Sequence, residues 1–360
     1  MCGSGRWRYS TMFSIPCSVQ NSMIPKTVRR GLALLTLAAL AGCNTVVMNP
    51  SGDIAKQQAD LIVTSVLLML IIIVPVMFLI VLFAWRYRKS ANARYEPDWD
   101  HSTKLELVIW GVPLLIIIAL GLVTWISTHK LDPYRPLDRL DAQRPISPST
   151  KPLVVQVVAM DWKWLFIYPE QGIATVNELV TPVDVPIRFK ITASSVMNSF
   201  FIPALAGQIY AMPSMETQLN AVLNKPGTYQ GFSANFSGDG FSHMRFGYKG
   251  VSQAEFDTWV QSVKAGGGNL GRAAYVTLEK PSIAEPVARF GSVEPDLFHD
   301  VLNRCVAEGS VCMNKQMADD AKKSRESRET AATKEARNKA AAVKVAAAEI
   351  CTTPEKTVKK

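Results

Sequence analysis

Residues 61–85 read LIVTSVLLMLIIIVPVMFLIVLFAW, 25 positions without one charged side chain. A second uninterrupted run follows at residues 107–127, LVIWGVPLLIIIALGLVTWIS, 21 positions long. At ~1.5 Å per residue each is long enough to cross the ~30 Å hydrocarbon core of a bilayer as a helix. Pro75 and Pro113 lie inside the runs, where a neighbouring helix can cover the carbonyls that a proline frees. Trp85, Tyr87, Trp110 and Trp125 stand at or near the run ends, where interfacial aromatics anchor a span. The loop at 86–106 carries Arg86, Arg88, Lys89, Arg94 and Lys104, whereas 43–60 carries only Lys56. The positive-inside rule therefore puts the loop in the cytoplasm and both outer ends outside. Lys130, Arg135, Arg139, Arg144 and Lys151 follow the second run and pull by charge alone in the opposite direction.

Upstream, Lys26, Arg29 and Arg30 precede a short apolar stretch at 31–40 (GLALLTLAAL), which ends in Leu40-Ala41-Gly42-Cys43. The apolar stretch is too short for a span and fits an export signal. The ending resembles the lipobox of bacterial lipoproteins, which implies cleavage before Cys43 and a diacylglyceryl group on its thiol. That anchor agrees with the charge-based orientation. Residues 1–22 fit neither signal nor domain, and Met23 is the expected start.

The 360 residues carry a formal charge of +9. Five basic and no acidic residues fall in 1–42, and eleven basic against seven acidic in 317–360. The body of the chain is thus near neutral, which excludes a basic nucleic-acid-binding face. The tail reads as a solvated helix or, by its Ala/Lys/Glu-rich composition, as disordered. The six cysteines (Cys2, Cys17, Cys43, Cys305, Cys312, Cys351) are too scattered for a disulfide scaffold, and none lies between Thr150 and Asp300.

From Pro152 the pattern turns to strands: 153–159 (LVVQVVA), 162–168 (WKWLFIY), 185–191 (VPIRFKI), 216–223 (ETQLNAVL) and 228–236 (TYQGFSANF), separated by Pro and Gly. Such spacing predicts a sandwich or barrel. A helix is expected at 252–265, with Phe256, Trp259 and Val260 on one face and Ser252 and Glu255 at capping-box spacing.

Two spans followed by a β-domain resemble subunit II of the heme-copper respiratory oxidases, from Cys43 to about Met317. The resemblance rests on Asp161-Trp162-Lys163-Trp164, on Asn198-Ser199-Phe200-Phe201-Ile202-Pro203-Ala204 and on residues 231–246 (GFSANFSGDGFSHMRF). It implies a two-helix transmembrane hairpin, an all-β cupredoxin-like sandwich and a C-terminal helical arm. The expected organisation is a signal peptide at 1–42, an external segment at 43–60, spans at 61–85 and 107–127, a cytoplasmic loop at 86–106, a periplasmic domain at 150–282, an arm at 283–316 and a tail at 317–360.

Members that oxidise cytochrome c carry a dinuclear copper centre held by a His and by Cys-x-Glu-x-Cys-x-x-x-His-x-x-Met, whose soft sulfurs suit Cu(I). Those positions fall here on Asn198, Phe236, Gly238, Gly240, Met244 and Gly247, none of them the family's ligand. His243 is one residue off the motif, and Phe236 is expected as an apolar filler packed in the loop. The resemblance therefore narrows to the quinol-oxidase branch, with no cofactor in this chain and no catalytic residue. Heme and copper belong to a partner, subunit I, alongside small membrane subunits and membrane lipid, in a complex that uses ubiquinol and pumps protons across the bacterial inner membrane. Trp162 matches the tryptophan that admits electrons in the copper-bearing branch and is read here as a core or interface aromatic. Residues 290–312 resemble the quinol-oxidase arm, with Leu297, Val301 and Leu302 at helical spacing and Pro295 expected in the first turn. Cys305 and Cys312 can pair outside the cytoplasm or stay free. The resemblance places Glu106 near the mouth of a proton channel in subunit I; closing a helix N-terminus is an equally sufficient role. Two other readings are carried: a membrane-anchored binding or assembly lipoprotein with a cupredoxin-like domain, and a cytochrome c oxidase subunit II.

Overall fold

The computed structural model describes residues 45–91, 98–147 and 149–350. The signal segment, Cys43 and Cys351 lie outside the described residues. The two apolar runs form α1 (Asp53–Arg86) and α2 (Thr103–Lys130). Helix α1 begins eight residues before its uncharged stretch and α2 extends about one turn past each end of its own, and large apolar side chains stay exposed along them, as lipid-facing surfaces require.

The outer end of α1 is built into the β-domain. The cap residue Gly52 offers no side chain, so carbonyls of the domain take over: Ser51 and Gly52 donate to Ala204 O at 2.9 and 3.0 Å, and Ala55 donates to Leu205 O at 3.3 Å. A Cβ on Gly52 would lie 2.6 Å from both Leu205 O and Val222 O, so only glycine admits this approach. Asp53, Ala55 and Ala59 are buried there.

The domain is a sandwich. Its strands are β1 (Leu153–Met160), β2 (Lys163–Tyr168), β3 (Ile173–Val176), β4 (Glu178–Pro182), β5 (Pro186–Ala193), β6 (Asn198–Phe201), β7 (Ile209–Ala211), β8 (Thr217–Val222), β9 (Gly227–Ser233) and β10 (Arg245–Val251). After α3 (Gln253–Gly266) come β11 (Gly268–Leu270), α4 (Arg272–Glu279), β12 (Ala288–Val293) and α5 (Leu297–Leu302). One sheet runs β11-β12-β3-β2-β1-β5-β8 and the other β4-β10-β9-β6-β7. Strand β1 pairs parallel with β5, Val155 opposite Phe189, and antiparallel with β2, Val158 opposite Leu165.

Between the sheets lies an aromatic core of Trp164, Phe166, Phe189, Phe200 and Phe246, in which Phe200 and Phe246 stack with centroids 5.5 Å apart. A second core forms on the outer face of the larger sheet, where Val158, Leu165 and Ile167 meet Tyr275 of α4 and Leu297, Phe298 and Val301 of the arm. Burial on both faces explains why residues 157–160 of β1 and 164–168 of β2 read as apolar runs rather than as alternation. Ser252 caps α3 in a complete capping box with Glu255.

Several expectations need correction. Trp162 is not in β2 but in the tight turn before it, at φ 66°. Strand β9 stops at Ser233, short of Phe236. Pro295 precedes α5, whose cap is Asp296 in the left-handed region. Of the tail, the described residues follow the solvated-helix reading: α6 (Met313–Ile350) is exposed through Lys344. Its Ala, Lys, Arg, Glu and Gln side chains are strong helix formers that need no tertiary partner to favour this conformation. A disulfide joins Cys305 to Cys312 just before it.

Residues between α2 and β1 strap the hairpin to the sandwich edge. The Asn220 side-chain amide donates at 3.2 Å to the carbonyls of Pro133, Tyr134 and Arg135. Arg144 forks onto Asp184 at 2.7 and 3.0 Å, and Arg139 reaches back to Asp53.

Candidate functional site

The loop between β9 and β10 holds most of the positions aligned with copper ligands. Asn198, at the start of β6, is buried; its Nδ2 donates to Val196 O at 3.1 Å and its Oδ1 accepts from Ser233 Oγ at 3.2 Å. Met244 is fully buried. Gly247 lies on β10 with open space where a side chain would start. Phe236 is 76% exposed and touches Phe241 edge-on, so it does not fill the loop as expected.

The filler is Trp162. Its indole Nε1 donates to Ser237 O at 3.1 Å, and its ring lies over Gly238 and Gly240. A Cβ on Gly240 would come within 2.4 Å of the ring, and one on Gly238 within 3.2 Å. Gly238 also sits at φ +106°, a conformation side chains resist. A side chain at Gly240, the position the sequence aligns with a bridging thiolate, would meet this ring, and the residues present offer no thiolate for the family's copper set. Among the described residues no cluster of three or more His, Cys, Asp or Glu side chains could hold a metal ion. His243 stands exposed in the short helical turn Phe241–His243.

At the far end of the hairpin, Glu106 lies in the first turn of α2. Its carboxylate is 2.7 Å from His101 Nδ1, and the other ring nitrogen is 3.2 Å from Thr103 Oγ1. With Nδ1 protonated, a neutral imidazole donates to the carboxylate and accepts from the hydroxyl. The sequence reading named Glu106 and missed His101, whose five-residue separation follows no helical period.

The family model for the periplasmic domain of cytochrome c oxidase subunit II matches residues 169–251, and that for the aromatic-rich motif of these oxidases matches 264–309. Cytochrome bo(3) ubiquinol oxidase subunit 2 of Pseudomonas putida is 48% identical over 76% of this chain and 84% of its own length. Ubiquinol oxidase subunit 2 of Acetobacter aceti is 48% identical over 79% and 90%. The chain belongs to the ubiquinol oxidase subunit 2 family. The periplasmic domain of cytochrome oxidase subunit II of Bradyrhizobium japonicum is 24% identical over 33% of this chain and 98% of its own, with TM-score 0.31.

In this chain the aromatic-rich match spans β11 and β12 at the edge of the larger sheet and α4 and α5 over its outer face. Buried charges pin them there. Glu178 accepts from Arg289 at 2.7 and 3.0 Å and from Lys249 at 3.2 Å. Burial alone would raise its carboxyl pKa, but the Arg289 guanidinium and Lys249 ammonium outweigh it and hold the group below the usual carboxylate range. Lys163, 2% exposed, donates to Lys280 O at 2.8 Å and Ser282 Oγ at 2.5 Å. These residues were not singled out from sequence; a charged residue inside an apolar strand, as in Lys163-Trp164-Leu165-Phe166, was the available signal.

Proposed function

We propose that this chain is the structural, non-redox subunit II of a proton-pumping ubiquinol oxidase that reduces oxygen to water. The observation that carries this reading is that none of Asn198, Phe236, Gly238, Gly240, Met244 and Gly247, the positions aligned with the copper set, holds the family's ligand. Ubiquinol dissolves in the membrane and can reach a heme-bearing subunit laterally, so the external domain has no electron to relay. The heme and copper centres then belong to subunit I. The hairpin braces that subunit, the sandwich caps its outer face, and small membrane subunits complete the assembly. Cys43 carries the lipid anchor at the periplasmic face of the inner membrane. Glu106, paired with His101, stands at a cytoplasmic proton entrance; Glu106→Gln tests this part alone by lowering turnover and proton uptake in the assembled enzyme.

Affinity purification of the chain from membranes in mild detergent tests the whole. A heme-bearing partner with quinol-supported oxygen uptake is expected, with no copper on the separated chain. A stoichiometric copper pair on this chain would contradict the reading, and purification without any heme-bearing chain would favour a free-standing binding or assembly lipoprotein.

A further inference from the structure

Where the two helices leave the membrane, a cavity of about 180 Å³ opens between the first turns of α1, the end of α2 and the strap. Its depth is set by the chain. Asp53, Ile54 and Gln57 lie four to eight residues outside Leu61, where the uncharged run begins, or about 6–12 Å along the helix. Lys130 and Asp132 lie three and five residues beyond Ser127, where the second run ends. The headgroup layer occupies roughly 5–8 Å on each side of the hydrocarbon core. The Gln57, Lys130 and Asp132 side of the cavity therefore lies at headgroup depth, with Asp53 and Ile54 just outside it.

The charges lining it sort into two groups. Asp53, 3% exposed at its side chain, is satisfied by Arg139 at 3.0 Å and Gln57 at 2.7 Å. Arg135 is paired with Asp138 at 2.8 Å. Lys130 has no ion-pair partner among the described residues. Among the described residues the Asp132 carboxylate accepts only the Tyr134 backbone N–H, at 2.9 Å. Lys130 and Asp132, two residues apart in the cavity lining, carry the charges left without an ion pair among the described residues, on a wall that is otherwise charge-balanced. A purely anionic ligand would meet Asp132; a purely cationic one would meet Lys130. A ligand with a phosphodiester and an ammonium group suits both.

We propose that this cavity seats the headgroup of a zwitterionic phospholipid carrying a primary ammonium, with Lys130 on the phosphate and Asp132 on the ammonium. A primary ammonium donates hydrogen bonds to Asp132, which a quaternary one cannot do. The site would fix the tilt of the hairpin against the sandwich through the lipid. It rests on the hairpin spanning the membrane and not on the identity of the oxidase.

The test uses the full chain, delipidated in mild detergent and offered equal amounts of phosphatidylethanolamine, phosphatidylcholine and phosphatidylglycerol, with retained lipid weighed by native mass spectrometry. Protease protection in vesicles first shows that wild type and variants span the bilayer, so a failed hairpin registers there and not as lost lipid. Expected is preferential retention of one phosphatidylethanolamine, cut about tenfold by Lys130→Gln through loss of a charge-assisted hydrogen bond and kept by Lys130→Arg. Asp132→Asn should erase the preference over phosphatidylcholine. Equal retention of all three lipids by wild type would overturn the proposal. So would unchanged phosphatidylethanolamine retention in both Lys130→Gln and Asp132→Asn, or displacement of the lipid by soluble phosphoethanolamine at equal concentration.

Discussion

Arg139 Nε lies 3.0 Å from the carboxylate of Asp53, joining the strap after α2 to the first turn of α1 across 86 positions of sequence. The Asp53 side chain is almost wholly buried while Arg139 keeps a third of its surface in water. The two halves of the pair are therefore not equivalent. Arg139→Met strands a buried carboxylate with Gln57 as its remaining side-chain partner and should cost about 2 kcal/mol. Asp53→Asn leaves a neutral acceptor and frees an arginine that water can solvate, for about 1 kcal/mol. Thermal unfolding of the full chain in detergent should rank the two variants in that order.

Glu178 makes the attachment of the arm sensitive to acid. Its folded pKa is held below that of an unfolded glutamate, near 4.3. Below that value the unfolded chain takes up the proton first, so the stability that Glu178 contributes is complete above about pH 4.3 and is lost as pH falls through the folded pKa. Protease cutting of the segment 280–288 should rise as pH drops below about 4. Glu178→Gln should show faster cutting already at pH 7, with a flatter pH dependence.

Gly240 and Trp162 are coupled by contact. Gly240 has an ordinary φ of −88°, so a side chain there meets no backbone penalty, only the indole. Gly240→Ala should destabilise the domain by about 1–3 kcal/mol, the cost of overpacking a filled space. In a Trp162→Ala background most of that loss should vanish, which a double-mutant cycle on the full chain measures.

The disulfide Cys305–Cys312 closes a short loop ahead of α6. Replacing both cysteines with serine should cost the arm about 2 kcal/mol, the chain-entropy value for a loop of this length. Hydrogen exchange over α5 reads the change, and a mass two hydrogens below that of the reduced chain reports the bond itself.

The hairpin was legible because an uncharged run of span length has few alternatives in physics, and β1 and β2 because burial on both faces leaves mostly apolar runs, interrupted at Gln156 and opened by Lys163. Strands β6 and β7, with four and three residues, and the glycine-rich β10 are too short or too mixed to announce themselves. Their pairing is set by partners far along the chain, such as Glu178 opposite Gly247. The missing copper ligands were legible by register alone. What replaced them was not: Phe236 looked like the filler, whereas the ring over Gly240 comes from Trp162, a contact no local pattern carries. The strap was equally hidden, since Asn220 binds three backbone carbonyls that any sequence would supply.

The central claim is that this sandwich carries no electron. Oxygen uptake by the purified complex, measured with ubiquinol and with reduced cytochrome c as alternative donors, tests it most directly. The account predicts turnover with ubiquinol that survives Trp162→Phe, and none with cytochrome c; comparable turnover with cytochrome c, abolished by Trp162→Phe, would contradict it.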